Sequence, residues 1–294
     1  KRNLSDSNKS KKEGMFMKNM ISLRAGGPAG SGVFTIGAMM ARSLQKLGLW
    51  VYYTADYPSL IKGGHNTCFI RAEPEEIHSQ IRAIDILVAI DKLTAEKHLN
   101  ELSQNGALFY DSGSFDINEI NMSARKDILV FGIPLLQIGR ELGDKIYGNI
   151  VVIGAIYALI KHDLEKLYVA LEKQFGVKKG KEVADVNKTA AKRGYDYFTQ
   201  NFSNVNFKIS VEQTKNDPTI LLSGNEAASI GAIKAGVKLV AEYPMTPSSG
   251  VLHFMAAQEQ KYNIVVKHTE DEIAAMNMIC GSAMTGARSL TATS

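Results

Sequence analysis

Short apolar runs alternate with stretches in which apolar residues recur every three or four positions, and this alternation marks the N-terminal part of the chain. Val33, Ile36, Met40 and Leu44 follow the helical period and predict a helix over 31–47. Strands are predicted at 16–25, 49–55, 66–71, 84–90, 107–110 and 128–132, with a further helix near 93–102. Strands that alternate with helices favour a doubly wound α/β fold with a parallel sheet.

Helical periodicity dominates after Pro134 and predicts helices at 149–161, 163–175 and 179–202. A mostly polar stretch at 204–218 then predicts an interdomain linker. Small and apolar residues return after this stretch. They predict strands at 219–222, 239–243, 264–268 and 290–293. They also predict three helices: one that begins at Gly224, one at 248–262 and one at 270–287.

These patterns predict an α/β protein of two domains. The first, over 16–203, is doubly wound with a helical C-terminal part, and the second, over 219–294, is a smaller α/β domain. Residues 1–15 are polar without an apolar core, which indicates a disordered leader rather than a secretory signal. A parallel sheet must be covered on both faces, so we expect the second domain to continue beyond Ser294 in a longer polypeptide.

Composition narrows the class of protein. Apolar residues make up 45% and charged residues 22% of the 294 positions, an ordinary soluble composition, and the formal charge of +4 gives no case for nucleic acid binding. No run reaches the roughly 18 to 20 apolar residues of a membrane span. Cys68 and Cys280 lie far apart in apolar segments, so buried, reduced thiols and a cytoplasmic protein are expected. The six histidines are scattered, and no metal site is predicted.

A glycine cluster, Gly26-Gly27-Pro28-Ala29-Gly30-Ser31-Gly32, lies between the first strand and the first helix. Free N–H groups at a helix N-terminus favour phosphate. The spacing Gly27-x-x-Gly30-x-Gly32 nevertheless differs from the dinucleotide and P-loop fingerprints. Two interpretations stay open: the glycines bind an anionic ligand, or they only allow close packing of strand and helix.

The loop Lys62-Gly63-Gly64-His65 offers a second candidate anion site, because paired glycines expose N–H groups beside a cation. A surface turn with a solvated lysine is the alternative from the residues alone. His65 is equally compatible with a structural role.

The stretch Tyr243-Pro244-Met245-Thr246-Pro247-Ser248-Ser249 follows an apolar strand and is stiffened by two prolines. Its serines are good N-cap residues for the next helix. Open α/β folds bind ligands at the carboxyl ends of their strands, so this hydroxyl-rich loop is a candidate site.

Glu272 opens a helix rich in small residues over 274–287, a composition that predicts burial against another backbone. Two interpretations of Glu272 stay open from the residues alone. Thr269-x-x-Glu272 fits a capping box, in which the glutamate only caps the helix, and Glu270 and Asp271 are also first-turn acids. The other interpretation is a catalytic carboxyl group.

The motifs taken together resemble a known family. Tyr-Pro-x-Thr-Pro-Ser-Ser, with Gly224-Asn225-Glu226-Ala227 before it, is similar to the thiamine-pyrimidine domain of 2-oxoacid:ferredoxin oxidoreductases. The glycine cluster and Tyr57-Pro58-Ser59-Leu60-Ile61-Lys62-Gly63-Gly64-His65-Asn66 are similar to the γ domain of those enzymes. Their order resembles the fused γ-α subunit of the two-subunit members, and the ordered set covers nearly the whole chain.

The resemblance implies oxidative decarboxylation of a 2-oxoacid, with 2-oxoglutarate favoured over pyruvate, to acyl-CoA, CO₂ and reduced ferredoxin. It implies catalytic roles for Glu272 and Thr246. The implied thiamine diphosphate contacts are Glu272, Tyr243, Pro244 and Thr246. The candidate contacts for coenzyme A or another anionic ligand are Gly27, Gly30, Gly32, Lys62, Gly63 and Gly64.

Other parts of such an enzyme are missing from this sequence. It contains no Gly-Asp-Gly followed by paired asparagines, and a [4Fe-4S] cluster needs about four thiolates. We therefore expect Mg²⁺ and the cluster on a partner β subunit in an α2β2 complex, with ferredoxin as electron acceptor. The alternative is a non-catalytic nucleotide-binding or assembly module of the same fold.

Overall fold

The computed structural model describes residues 19–56, 58, 64–202, 204–214 and 220–293. They form two compact units that divide between residues 219 and 220. The predicted leader at 1–15, and Lys62 and Gly63 of the candidate loop, lie outside the described residues.

The described strands of the first unit form one sheet. They are β1 Ile21–Pro28, β2 Trp50–Asp56, β3 His65–Glu73, β4 Ile84–Ala89, β5 Leu102–Asp111 and β6 Leu129–Ile133. Its α-helices are α1 Val33–Lys46, α2 Lys92–His98, α3 Leu135–Glu141, α4 Gly148–Leu159, α5 Glu165–Leu171, α6 Val177–Lys179 and α7 Lys181–Asn201. Short 3₁₀ helices lie at Leu99–Glu101, Ile117–Glu119 and Lys145–Tyr147, and a π-helix at Glu172–Gly176.

The sheet has the strand order β2-β3-β1-β4-β5-β6 and is mixed. β1, β4, β5 and β6 are parallel, as predicted. The prediction of a parallel sheet is wrong for β3, which is antiparallel to both β1 and β2. Only eight residues separate Asp56 from His65, whereas a parallel crossover needs about a dozen or more, so β2 and β3 pair as antiparallel neighbours.

Helices cover both faces of this sheet, which confirms the predicted doubly wound α/β fold. Ile86 and Val88 of β4 lie in the core cluster that contains buried residues of α1 and α4. Leu87 and Ala89 lie in the opposite cluster, with Ala95 of α2. Because both faces of β4 are buried, its residues form one continuous apolar run rather than an alternating pattern.

The predicted interdomain linker lies partly on the first unit. Phe207 and Val211 are buried in its larger core cluster. The Thr214 N–H donates to the Leu47 carbonyl at 2.8 Å. Residues 204–214 therefore pack on the first unit by apolar and backbone contacts.

The second unit contains a parallel sheet with the order β8-β7-β9. Its elements are α8 Gly224–Lys234, β7 Leu239–Glu242, α9 Ser249–Ala256, α10 Glu259–Tyr262, β8 Val265–His268, α11 Glu272–Met284 and β9 Ser289–Leu290. Val240 of β7 packs with Val251 and Met255 of α9 in its core.

Two predictions for this unit are wrong within the described residues. Residues 220–222 form no strand, because the apolar run finds no sheet to cover it: Ile220 is 81% exposed. Helix α11 is not a buried helix here. Of its described residues only Ala275 is buried, while Ile273 and Met276 are exposed.

Among the described residues, no helix combines the length and apolar character that crossing a bilayer requires.

Close contact between α4 and α7 depends on two glycines, and this dependence can be tested. A Cβ atom at Gly154 would collide with the Ala191 carbonyl oxygen, and one at Gly194 with the Val151 carbonyl oxygen. We expect Gly154→Ala to lower the free energy of unfolding by about 1–3 kcal/mol through overpacking, measured by denaturant titration.

Gly231→Ala in α8 is the matched control. Its added Cβ meets no atom within 4 Å, so stability should stay equal or rise by roughly 0.5–1 kcal/mol. A larger loss at Gly231 than at Gly154 would contradict this account of the packing.

Candidate functional site

The carboxyl edge of the second sheet brings the two predicted catalytic residues to one side of the unit. β7 and β8 are parallel neighbours, with Glu242 opposite His268. The loop containing Thr246 leaves the end of β7, and the helix that Glu272 opens follows the end of β8. Their strands end at the same edge, where ligands bind in open α/β sheets.

The loop after β7 is held through its backbone. The Ser249 N–H and the Ser248 hydroxyl donate to the Met245 carbonyl at 2.8 and 2.9 Å. The Asn225 amide donates to the Pro247 carbonyl at 2.9 Å, and the Thr246–Pro247 bond is cis. Ser248 is the N-cap residue of α9, as predicted, but its hydroxyl donates to the Met245 carbonyl and does not cap the helix N–H groups.

The side chains that this loop presents remain available. Thr246 and Pro244 are exposed and Tyr243 is half-buried. Neither Thr246 nor Tyr243 hydrogen-bonds through its side chain to another described residue. The loop is thus fixed through its carbonyls, and the hydroxyl groups of Tyr243 and Thr246 have no partner among the described residues.

The capping interpretation of Glu272 does not hold in the structure. Asp271 is the N-cap of α11 and its Oδ1 accepts from the Ala274 N–H at 2.7 Å. The Thr269 hydroxyl donates to the Asp271 carbonyl at 3.0 Å. Glu272 is left half-exposed, without a hydrogen bond or ion pair to another described residue. A first-turn carboxylate without a capping role is free to bind a ligand.

Glu226 shows the opposite outcome for a similar sequence pattern. Ser223 and Glu226 form a reciprocal capping box at the start of α8, in which the Ser223 N–H donates to the Glu226 carboxylate at 2.8 Å. Glu226 is therefore committed to the helix start, and Asn225 beside it supports the loop after β7.

Glu242 is a residue of this edge that sequence reasoning missed. It is fully buried, and neither carboxylate oxygen has a hydrogen-bond partner among the described residues. Burial raises the pKa of Glu242 to about 7, although the nearby Ser248 hydroxyl opposes the shift. The only signal in the sequence was a glutamate that ends an otherwise apolar strand.

The glycines of the cluster occupy different positions in the structure. Gly27 lies in β1, paired with Asn66, and a Cβ there would press against Ile90 at 3.0 Å. It therefore serves close packing. Gly30 and Gly32 follow the strand with φ of +83°, and Gly32 is the N-cap of α1. These two shape the turn at the helix N-terminus.

A cavity of about 750 Å³ lies at the carboxyl ends of β1 and β4, and Gly30 lines it. Two cations, Lys92 and Lys145, also line it. Lys92 pairs with Glu119 at 2.9 Å, whereas Lys145 has no ion pair with a described residue.

A second cavity of about 730 Å³ adjoins the first, since Pro28, Asp91 and Leu93 line both. Gly64, with φ of +95°, and His65 line the second cavity. We call the two cavities together the edge groove. It brings the glycine turn and the described end of the Lys62–His65 loop to the same edge of the sheet.

Both cysteines are free, as predicted. Burial raises the pKa of the Cys68 thiol to about 12. The prediction of burial is wrong for Cys280, which is exposed on α11. No group of three or more histidine, cysteine or acidic side chains among the described residues is arranged to hold a metal ion.

Comparison with known proteins identifies the family. Residues 22–197 match the family described as "Pyruvate ferredoxin/flavodoxin oxidoreductase". That match covers more than half of the chain. The chain belongs to the pyruvate ferredoxin/flavodoxin oxidoreductase family. Residues 230–294 of this family member match "Pyruvate flavodoxin/ferredoxin oxidoreductase, thiamine diP-bdg".

Individual members of the family agree with this assignment. The chain is 26% identical to a 2-oxoacid:ferredoxin oxidoreductase subunit alpha from a Sulfolobus species, over 93% of this chain and 50% of the relative. Over 74 residues, 25% of this chain and 21% of the relative, it is 49% identical to 2-oxoglutarate synthase subunit KorA from Archaeoglobus fulgidus. The chain spans about half the length of the curated relatives that it matches along most of its sequence.

A solved structure resembles both units. It is 2-oxoglutarate:ferredoxin oxidoreductase from Magnetococcus marinus with 2-oxoglutarate, coenzyme A and succinyl-CoA bound. The TM-score is 0.80 at 27% identity, over 93% of this chain and 47% of that one. The resemblance to 2-oxoacid:ferredoxin oxidoreductases that the motifs predicted is confirmed for this family member.

The raised pKa of Glu242 makes a testable prediction about pH. The carboxyl keeps its ordinary pKa, about 4.3, in the unfolded chain and has a pKa of about 7 when folded. Between these values the folded state binds more protons, so stability falls as pH rises and the penalty reaches about 3–4 kcal/mol above pH 7. We expect Glu242→Gln to stabilise the protein increasingly from pH 5 to pH 8, measured by thermal melting at each pH. Exposed Glu270→Gln is the control, and an equal pH trend in both variants would contradict the assignment.

Proposed function

We propose that this chain is the γ and pyrimidine-binding part of a 2-oxoacid:ferredoxin oxidoreductase alpha subunit. With a partner β subunit it oxidatively decarboxylates a 2-oxoacid, passes the acyl group to coenzyme A and the electrons to ferredoxin. The observation that carries the proposal is the free carboxylate of Glu272 at the same sheet edge as the exposed hydroxyl of Thr246. Purely structural roles leave both groups unexplained.

These residues fit the pyrimidine end of thiamine diphosphate. When bound, this cofactor stabilises the carbanion that decarboxylation generates. Glu272 would hold a ring nitrogen of the pyrimidine, because its carboxylate has no competing partner among the described residues. Thr246 would donate to the substrate carboxylate or keto oxygen, and the Tyr243 hydroxyl would assist. Pro244 keeps the loop stiff, so that these groups retain their positions.

The other end of the cofactor is assigned to the partner. No described cluster of ligands would hold Mg²⁺, and the sequence has two cysteines where a [4Fe-4S] cluster needs about four. The proposal therefore assigns Mg²⁺, the diphosphate and the cluster to the β subunit of an α2β2 complex. Ferredoxin would take the electrons from that cluster.

The edge groove of the first unit is the proposed side for coenzyme A. Gly30 and Gly32 form the turn at the N-terminus of α1, a 14-residue helix. Lys145 has no ion pair with a described residue and lines the cavity with Lys92, Asp91 and Asp144. This end of the groove suits phosphate. Gly64 lies in the adjoining cavity, and Lys62 and Gly63 remain candidate contacts. The similar enzyme from Magnetococcus marinus has coenzyme A bound, which supports coenzyme A as the ligand.

We favour 2-oxoglutarate as the substrate, with pyruvate next. The support is the 49% identity to a 2-oxoglutarate synthase subunit over 74 residues and the likeness to an enzyme solved with 2-oxoglutarate bound. The same relatives include a ketoisovalerate oxidoreductase subunit from Methanothermobacter marburgensis at 23% identity. A comparison of kcat/KM for 2-oxoglutarate, pyruvate and 2-oxoisovalerate decides the preference.

Replacement of Glu272 tests the proposal. In the complete complex with thiamine diphosphate and coenzyme A, we expect Glu272→Gln to reduce 2-oxoacid-dependent viologen reduction by about 10²-fold or more, because the amide cannot supply the acid–base function. Glu270→Gln, two residues earlier and exposed, should keep wild-type turnover. The elution volume of the complex serves to verify that assembly is intact in both variants.

The rival, a non-catalytic nucleotide-binding or assembly module, makes the opposite prediction. The rival hypothesis predicts that a Glu272→Gln complex that assembles normally keeps wild-type turnover. Wild-type turnover in that variant would overturn the proposed function.

A further inference from the structure

Glu242 is a buried carboxyl group at the start of the loop that carries Thr246, and the proposed function gives it no role. Its side chain is fully buried, and neither oxygen has a hydrogen-bond partner among the described residues. Its backbone carbonyl accepts the Thr269 N–H at 3.2 Å, and Thr269 lies just before the helix that Glu272 opens. Glu242 therefore lies between the two segments that carry the candidate catalytic residues.

The neighbouring elements supply no counter-charge to Glu242. Its oxygens have no partner among the described residues, and no described cation forms an ion pair with it. On β8, His268 is opposite Glu242 in register but is exposed. The other charged or titratable side chains on the elements around it are half-buried or exposed: Glu226, Lys234, His253, Glu259, Lys267, Glu272 and Arg288. Burial is accordingly the largest cause of the raised pKa of Glu242, about 7, and Ser248 is the group that opposes it.

Ser248 has one hydroxyl proton and two acceptors that compete for it. The Ser248 side chain is buried, and its hydroxyl donates to the Met245 carbonyl at 2.9 Å. A neutral Glu242 carboxyl has its own O–H, which can donate to Ser248 Oγ while Ser248 still donates to Met245. An ionised carboxylate only accepts, so it competes with Met245 for the single proton. Because hydrogen bonds to a charged acceptor are roughly twice as strong as neutral ones, the carboxylate wins this competition.

The bond that Ser248 would give up is one of those that hold the loop. Thr246 lies between Met245, whose carbonyl accepts from Ser248 and Ser249, and Pro247, whose carbonyl accepts from the Asn225 amide at 2.9 Å. Loss of the Ser248 bond leaves the Met245 carbonyl with the Ser249 N–H alone. The position of Thr246 thus depends on whether Glu242 carries a proton.

We propose that Glu242 is a positioning residue for Thr246, and that its neutral form keeps the loop after β7 in the conformation that binds the 2-oxoacid. When Glu242 loses its proton to solvent, the Ser248 hydroxyl turns from Met245 to the carboxylate and the loop is released. The competent form is present below the pKa of Glu242 and is lost as the pH rises through about 7. This inference rests on the proposed function, in which Thr246 binds the substrate.

The first test measures KM and kcat for the 2-oxoacid in the complete complex between pH 6 and pH 8, with saturating coenzyme A and viologen as acceptor. Wild type is compared with Glu242→Gln, whose amide has a similar shape and does not ionise. The ratio of the wild-type KM to the variant KM should be close to one at pH 6 and about tenfold at pH 8, because apparent affinity falls with the neutral fraction. The ratio of kcat values should change far less, because saturating substrate selects the competent loop.

Two further variants test the route and the specificity. In Ser248→Ala no hydroxyl can turn towards Glu242, so KM should be higher than in wild type at pH 6 and should lack the additional rise at pH 8. Exposed Glu270→Gln is the control for the loss of one carboxylate from this unit. It should keep the wild-type KM and the wild-type pH profile.

A spectroscopic test of the loop does not depend on catalysis. In the complete complex labelled at its methionine methyl groups, the NMR signal of Met245 is assigned with Met245→Leu. We expect this signal to titrate with a midpoint near pH 7 in wild type and to stay constant in Glu242→Gln. The buried Met39 of the first unit and Met255 of α9 are internal controls, and their signals should not titrate with this midpoint.

The outcomes separate this inference from the proposed function. A KM ratio that stays near one at pH 8 overturns the positioning role and leaves the proposed function standing. A Met245 signal that does not titrate in wild type, or that titrates equally in Glu242→Gln, also overturns the positioning role. A complex that turns over no 2-oxoacid overturns the proposed function, whereas a titrating Met245 signal in that complex would still support the coupling of Glu242 to the loop.

Discussion

Parallel strands that are neighbours in a sheet must end at the same edge, and this constraint decides where the reactive groups of each unit lie. In the second unit it brings the loop after β7 and the helix after β8 together, which places Thr246 and Glu272 on one side. In the first unit the ends of β1 and β4 form the edge groove. The position of both candidate sites thus follows from backbone hydrogen bonding between parallel strands, before any side chain is considered.

The residue that caps the start of each helix then decides which neighbouring carboxylates have no hydrogen-bond partner among the described residues. Ser223-x-x-Glu226 and Thr269-x-x-Glu272 present the same capping pattern, yet only the first closes into a capping box. At the second, Asp271 takes the N-cap and leaves Glu272 without a partner among the described residues. The difference is two residues in the position of the N-cap relative to the pattern, and it separates a structural carboxylate from a candidate catalytic one.

Local periodicity predicted most helices and strands, because the period of buried positions differs between them. It predicted the wrong direction for β3, since strand direction depends on the length of the connection before it. The contact between His65 and His98 could not be predicted either, because the two residues are 33 positions apart in the sequence. Glu242 is buried by packing around the end of β7. The family resemblance located Glu272 and Thr246, whereas only the structure showed that Asp271 leaves Glu272 uncommitted.

A structure of the complete enzyme, with its partner subunit and thiamine diphosphate bound, tests the central claim most directly. The account predicts the Glu272 carboxylate within hydrogen-bond reach, about 2.6–3.2 Å, of a pyrimidine ring nitrogen, with Thr246 facing the same ligand. A cofactor bound with Glu272 turned away from its ring, or with Glu242 in that place, would contradict the account.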